Sequence, residues 1–112
     1  MIRAAHVFKL IGKSPLVRIN KMNPNPNVEI YAKLVGFNPM GSLKDRIALR
    51  MIEKAEEEGK LTKDKVIVEA TSGNTGISVA WVAALKGYSC LIVMPEFVSV
   101  ERSRILEALG LR

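Results

Sequence analysis

The 112-residue sequence has only one cysteine, one histidine and no glutamine. A single cysteine, Cys90, excludes a disulfide within the chain. With His6 as the only histidine, a metal site built from several of these two residue types is also excluded. Because Cys90 lies in an apolar run, we expect a core residue in a reduced, cytoplasmic setting rather than a reactive thiol.

Long apolar runs are also missing. No stretch approaches the roughly 20 apolar residues of a membrane span. Residues 1–9 contain Arg3 and Lys9, and they lack the apolar core of a secretory signal. A composition of 48% hydrophobic and 25% charged residues is typical of one small globular domain. We therefore expect a cytoplasmic protein with no membrane partner.

The positive charge is unevenly distributed. Residues 1–56 hold ten lysines and arginines against four acidic residues, whereas residues 57–112 hold seven of each, which gives a net charge of +6. A nucleic-acid partner is not expected, because the basic residues are scattered singly and no aromatic residues interleave with them. An anionic small ligand or an acidic partner surface explains the excess as well.

The hydrophobic pattern predicts an α/β fold. Two short strands, at residues 14–20 and 28–35, flank a loop rich in asparagine and proline and predict a long-looped hairpin. From residue 43 onwards helices alternate with strands: helices at 43–58, 77–86 and after Ser99, strands at 66–70 and 89–94. This order predicts a parallel sheet with crossover helices and strands buried on both faces. In the first of these helices, Leu43, Ile47, Met51 and Ala55 recur at every fourth position with Ile52 beside them, which predicts a core-facing stripe.

The segment Asn-Pro-Met-Gly-Ser-Leu-Lys-Asp-Arg, at residues 38–46, opens the first long helix and places Lys44 in its first turn. Ser42 is a favoured N-cap, and Asp45 puts negative charge where the helix dipole favours it. The same dipole disfavours the ammonium form of Lys44 and so favours the neutral amine, which attacks carbonyl groups. From these residues alone, Lys44 is either such a nucleophile or an ordinary surface lysine.

The segment Thr-Ser-Gly-Asn-Thr-Gly, at residues 71–76, follows a strand and precedes an apolar helix. Ligands bind at such strand ends in open α/β sheets, and a helix N-terminus favours an anion. The segment has neither the Walker spacing nor the G-x-G-x-x-G spacing. It is therefore either a cradle for a carboxylate or phosphate or a plain capped turn. Together with an amine at Lys44, it indicates carbonyl chemistry on a carboxylate substrate, of which a lysine–pyridoxal phosphate site is one form.

Two further segments complete a family pattern: Ile-Gly-Lys-Ser-Pro-Leu-Val-Arg at residues 11–18, and Met-Pro-Glu at 94–96 followed by Ser-Val-Glu-Arg at 99–102. All four stand in the order and spacing of the cysteine synthase family of pyridoxal-phosphate enzymes, which includes O-acetylserine and O-phosphoserine sulfhydrylases and cystathionine β-synthase. The sequence resembles the amino-terminal portion of these enzymes. The resemblance implies the small-domain part of the tryptophan synthase β-like fold (fold type II), truncated. Residues 1–37 would be strands of the large domain of longer relatives, and residues 38–112 the small α/β domain.

The resemblance also implies roles for individual residues. Lys44 is similar to the lysine that binds pyridoxal 5'-phosphate covalently and later moves the α-proton, and Asn74 to the asparagine that hydrogen-bonds the cofactor's ring oxygen. The loop that closes on the α-carboxylate of the amino-acid substrate corresponds to Thr71, Ser72, Gly73 and Thr75. The family reaction is β-replacement on an activated serine, which gives cysteine.

Members of the family are much longer, and their glycine-rich phosphate-binding loop has no counterpart in these 112 residues. We therefore expect this chain to be incomplete as an enzyme by itself, with the remainder of the enzyme or further copies of the chain as partners. The alternative is a non-catalytic binding or assembly module that self-associates through exposed apolar surface.

Overall fold

The computed structural model describes residues 3–97 and 99–111. These residues divide into two compact units, Met1–Leu43 and Lys44–Arg112. The strands and α-helices are β1 (Leu16–Arg18), β2 (Tyr31–Lys33), α1 (Lys44–Glu57), β3 (Val66–Ala70), α2 (Asn74–Lys86), β4 (Ser89–Val93) and α3 (Val100–Ala108). None of the described helices is long and apolar enough to cross a membrane.

The first unit is built around the predicted hairpin. β1 pairs antiparallel with β2, with Leu16 opposite Lys33 and Arg18 opposite Tyr31. The loop between them is held by asparagine side chains; for example, Asn23 Nδ2 donates a hydrogen bond to the carbonyl oxygen of Val28 at 2.5 Å. Both strands are shorter than the apolar runs that predict them. The assignment of residues 1–37 to a larger domain stays a prediction.

The second unit is a layered α/β structure. β3 and β4 pair in parallel, from Val66 opposite Ser89 to Ala70 opposite Val93. The crossover helix α2 covers one face of this sheet, and α1 packs on α2. The helix α2 is buried on all sides over residues 78–83 and forms most of the core. The buried hydrophobic residues are Ala48, Ile52, Val79, Ala80, Trp81, Val82, Ala83 and Leu106. The predicted parallel sheet with a crossover helix is confirmed.

The expectation that the strands are buried on both faces is wrong. Val66, Val68, Leu91 and Val93 are between 48% and 61% exposed. Alternate residues of each strand point to opposite faces, and α2 covers only the other face. An apolar run predicts a strand correctly without telling which of its faces another layer will cover.

The expected core stripe of α1 is wrong for Leu43, Ile47 and Met51, although Ile52 is buried as predicted. Ile47 and Met51 are 41% and 45% exposed, whereas Ala48 and Ile52 are buried. The period of 3.6 residues is right, but α1 meets α2 through the ridge that contains the small Ala48. A small residue lets two helix backbones approach closely, which favours that ridge over the neighbouring one.

The helix starts also differ from the predicted ones. α1 begins at Lys44, one residue later than predicted, and α2 begins at Asn74 instead of residue 77. Gly73, in extended backbone, is the last residue before α2. Asn74 therefore lies inside the first turn of a helix and not in a preceding loop.

Candidate active site

The N-terminus of α2 lacks a side-chain cap. Its N-cap is Gly73 (φ −141°, ψ −153°), which makes no side-chain capping hydrogen bond, and the first turn carries no acidic residue. Serine, threonine, asparagine or aspartate at this position would supply an oxygen to the first N–H groups of the helix. Without one, these N–H groups and the positive end of the dipole favour an anion.

This helix end lies beside an open cavity of ≈ 660 Å³ at the carboxyl ends of β3 and β4. Its walls come from both strand ends: Ala70, Thr71, Ser72, Val93, Met94 and Pro95. A Cβ added at Gly73 would meet no atom within 4 Å, so there is open space directly beside the backbone. Cavities of this size accommodate small ligands, and strand ends are where α/β sheets bind them.

Gly76, the second glycine of the segment, has a different role. A Cβ added there would lie 2.6 Å from Thr71 Cγ2 and 3.1 Å from Ile92 Cγ2. The first turn of α2 thus packs too closely on the end of β3 and on β4 to admit a side chain. Gly76 is therefore required for packing.

Lys44 is the first residue of α1 and is half-buried. The next residue, Asp45, is fully buried, and its Oδ1 accepts a hydrogen bond from Ser78 Oγ at 2.6 Å. Ser78 is also fully buried and lies one turn after Asn74 on α2. The start of the lysine-bearing helix is therefore joined to the start of the helix with the uncapped N-terminus. Sequence reasoning missed Ser78, whose only signal is a hydroxyl in an otherwise apolar helix.

Arg102 brings the start of α3 to the same loop. Its Nη1 donates a hydrogen bond to the carbonyl oxygen of Ser72 at 2.5 Å. Ser99 is the N-cap of α3, although it makes no side-chain capping bond. The contact places a guanidinium group next to the segment at residues 71–76. The sequence indicated the segment containing Arg102 but not this contact.

In the first unit, Asn38 joins two of the four family segments. Asn38 is buried; its Oδ1 accepts a hydrogen bond from the Gly12 N–H at 2.8 Å, and its Nδ2 donates one to the Val35 carbonyl oxygen at 2.8 Å. Lys33 Nζ donates to the carbonyl oxygens of Gly12 and Ser14, at 3.1 and 2.8 Å. The two bonds of Asn38 give it a structural role, and those of Lys33 hold the segment that contains Gly12 and Ser14.

The predicted site residues all lie in the second unit. Lys44 begins α1, and the others lie at the junction of β3 and α2. Of the latter, Thr71, Gly73 and Thr75 are half-buried and Ser72 and Asn74 are exposed. Cys90, half-buried on β4, is not among them, and burial raises the pKa of its thiol. Within residues 3–97 and 99–111, no group of three or more His, Cys, Asp and Glu side chains could hold a metal ion.

The hydrogen bond between Asp45 and Ser78 thus joins the helix that begins with Lys44 to a helix with an uncapped N-terminus at the carboxyl edge of a parallel sheet. Residues 7–112 match the pyridoxal-phosphate dependent enzyme family, and the chain belongs to this family. It is 54% identical to a cysteine synthase of Flavobacterium sp. over 105 residues, and 53% identical to mouse cystathionine beta-synthase over 106 residues. These alignments cover 94% and 93% of the chain.

Solved structures agree with this family. The crystal structure of a hydrogen sulfide-producing enzyme from Fusobacterium nucleatum matches the whole chain with a TM-score of 0.90 and 53% identity. The fold is therefore the tryptophan synthase β-like fold (fold type II), and pyridoxal phosphate is the cofactor of the family. The chain spans 34% of the length of the Flavobacterium enzyme, 19% of the mouse enzyme and 37% of the Fusobacterium chain.

Proposed function

We propose that this chain carries the lysine and the substrate-carboxylate loop of a cysteine synthase-like enzyme, which performs pyridoxal-phosphate-dependent β-replacement on an activated serine and gives cysteine. The observation that carries the proposal is the uncapped N-terminus of α2, joined through Ser78 and Asp45 to the helix that begins with Lys44. Identity above 50% to a cysteine synthase supports it.

The described residues fit the cofactor at its reactive end. The Lys44 amine would bind its carbonyl carbon and later hold the proton removed from the α-carbon of the substrate. Asn74, exposed at the first position of α2, would hydrogen-bond its ring oxygen. When bound, pyridoxal phosphate supplies an electron sink for negative charge at the α-carbon.

The substrate carboxylate would bind at the start of α2. Gly73 leaves the backbone open to it, and the N–H groups of the first turn face no capping oxygen from the N-cap side chain. Hydroxyl groups of the loop add hydrogen bonds: Thr71, Ser72 and Thr75. The guanidinium of Arg102, bonded to the Ser72 carbonyl oxygen, adds positive charge beside the loop.

The proposed enzyme has both a small-molecule substrate and protein partners. The substrate is a small amino acid, and neither nucleic acid nor a membrane takes part. Since the chain spans about a third of the cysteine synthase that it matches, we assign the rest of the active site to sequence outside these residues or to a further copy of the chain. The enzyme is proposed to act as a homo-oligomer in the cytoplasm.

A second candidate function is a non-catalytic module that self-associates. The exposed apolar face of the sheet, with Val66, Val68, Leu91 and Val93, favours it, because a face of this kind is seldom left in water. Sedimentation velocity distinguishes the candidates when combined with cofactor binding. Self-association that Val68→Lys abolishes, in a chain that binds no cofactor, supports the module and not the enzyme.

The enzyme proposal is tested by titrating the full chain with pyridoxal phosphate and recording its visible absorption. We expect a saturable band in the native chain and in Lys54→Ala, which removes an exposed lysine of the same helix. The band is lost in Lys44→Ala. A band of equal strength in Lys44→Ala would refute the assignment of Lys44.

A further inference from the structure

The hydrogen bond between Ser78 and Asp45 joins α2 to α1 at one defined position along the two helices. Ser78 lies in the second turn of α2 and Asp45 in the first turn of α1, and both are fully buried. The separation of 2.6 Å between Ser78 Oγ and Asp45 Oδ1 is within the range of a good O–H···O bond. The buried hydrophobic side chains of these two helices include Ala48 and Ile52 on α1 and Val79 and Val82 on α2.

A buried polar pair stabilises an interface between helices less efficiently than apolar side chains do. Burying a carboxyl group costs free energy unless hydrogen bonds compensate, and apolar residues of similar volume are often at least as stabilising. The hydrogen bond fixes the position of α1 along the axis of α2. Apolar ridges can pack at more than one such axial position, whereas this bond forms at only one. A slide of α1 along α2 by one turn, about 5.4 Å, would break it.

The axial position of α1 relative to α2, which the bond fixes, determines how far Lys44 lies from the start of α2. Lys44 precedes Asp45, so any shift of Asp45 along α2 carries the backbone of Lys44 with it. Asn74 precedes Ser78 by one turn, so Ser78 is fixed relative to the uncapped N–H groups at the start of α2. The bond thus sets the spacing between the proposed amine and the proposed carboxylate cradle.

We propose that Ser78 is a positioning residue for Lys44 and acts through its hydrogen bond to Asp45. The functional importance of Lys44 rests on the proposed function, whereas the claim that Ser78 positions Lys44 does not. Ser78 touches neither substrate nor cofactor in this proposal. Positioning matters because a misplacement of about 1 Å at a reacting group can cost about 100-fold in rate.

The experiment measures the placement of Lys44 without the cofactor. The full chain is acetylated with a trace of acetic anhydride under native conditions, and mass spectrometry gives the ratio of acetylation at Lys44 to that at Lys54. Lys54 lies near the other end of α1 and serves as the internal reference. Ser78→Ala is compared with Ser78→Thr, which retains the hydroxyl. A further control is Val82→Ala, which removes buried apolar volume one turn further along α2 and leaves both hydrogen-bonding groups in place.

We expect the ratio to change about threefold or more in Ser78→Ala, in line with the loss of a hydrogen bond to a carboxyl group. It returns toward the native value in Ser78→Thr and is unchanged in Val82→Ala, although both variants alter thermal stability. Should Ser78→Ala fail to fold, Ser78→Cys, with a weaker donor, takes its place. An unchanged ratio in a folded variant that lacks the hydroxyl overturns the proposal and leaves Ser78 a purely structural role.

A second measurement separates this inference from the proposed function. Pyridoxal phosphate is titrated into the same variants, and its affinity in Ser78→Ala is expected to fall about tenfold. If the native chain binds no pyridoxal phosphate, these residues do not form the cofactor site by themselves, and the acetylation ratio still decides whether Ser78 places Lys44. If the native chain binds it and Ser78→Ala binds equally well, the positioning role is wrong.

Discussion

Replacing Gly76 with alanine tests how the segment at residues 71–76 is packed. The added Cβ would lie 2.6 Å from Thr71 Cγ2, where ordinary contacts lie at 3.4–4 Å. Thr71 has little room to yield, because its Oγ1 accepts a hydrogen bond from the Gly73 N–H at 3.3 Å and its own N–H donates to the Val93 carbonyl oxygen at 3.0 Å. Ile92 Cγ2, at 3.1 Å, closes the other side.

Two opposing contributions determine how much Gly76→Ala changes the free energy of unfolding. A contact as short as 2.6 Å places the cost of overpacking in the upper part of its usual range, about 2–3 kcal/mol, and the better helix propensity of alanine returns about 1 kcal/mol. The net loss in the free energy of unfolding is therefore about 1–2 kcal/mol. For a domain of this size each kcal/mol lowers the thermal midpoint by roughly 4–8 °C. We expect a decrease of about 4–16 °C for Gly76→Ala.

Thermal unfolding followed by circular dichroism measures this decrease. Thr71→Ser removes Cγ2 and retains the hydroxyl, so the double variant Gly76→Ala/Thr71→Ser is expected to recover much of the loss. Gly36→Ala is the matched control, because the nearest atom to its added Cβ is 3.9 Å away. An unchanged or higher midpoint in Gly76→Ala, or no recovery in the double variant, would refute the packing role of Gly76.

Three further predictions concern charge, cofactor and substrate. The Lys86 ammonium, 2.6 Å from Glu56 Oε2, and then the Tyr88 hydroxyl hold the pKa of Glu56 below its ordinary value of 4.5. The stabilisation from this carboxylate is therefore complete above the pKa of the unfolded chain and is lost as the pH falls through the lower pKa of the folded chain. The thermal midpoints of the native chain and Glu56→Gln should converge as the pH falls below 4.5, and a constant difference would contradict this. Asn74→Ala should weaken pyridoxal phosphate binding about three- to tenfold in the absorption titration, yet lower the thermal midpoint by less than about 4 °C, because Asn74 is exposed; a collapse of the midpoint would make its role structural. Gly73→Ser should keep or slightly raise the midpoint, since serine caps a helix as well as glycine or better, but should weaken the spectral response of the cofactor-loaded chain to O-acetyl-L-serine, because the new hydroxyl occupies the N–H groups; an undiminished response would place the carboxylate elsewhere.

The strands and helices of the second unit could be predicted from the sequence because their signals are local. The run at residues 66–70 is bounded by polar residues and matches β3 in full. Because a helix separates the two strands in sequence, few sheet topologies are possible, and a parallel pair joined by a crossover helix is the expected one. The burial of each face could not be predicted, since it depends on which layer packs on which ridge. Ala48 and Ile52 face α2 although Ile47 and Met51 are equally apolar.

The site could be predicted only in part, for a similar reason. Lys44 and the segment at residues 71–76 stand out because each lies at a helix start next to residues with special backbone or capping properties. Ser78 donates to a carboxyl group 33 residues away in sequence, and Arg102 to a carbonyl oxygen 30 residues away. Neither pair has a recognisable spacing, so only the folded chain reveals what joins the two helix starts and what contacts the loop.

The central claim is that Lys44, out of ten lysines, is the amine that reacts with the cofactor. The most direct measurement is to incubate the full chain with pyridoxal phosphate, reduce the mixture with borohydride and locate the pyridoxyl group by peptide mass spectrometry. We expect modification at Lys44 at cofactor concentrations that leave the other nine lysines largely unmodified. A label spread evenly over exposed lysines, or one that favours Lys54 over Lys44, would contradict the account.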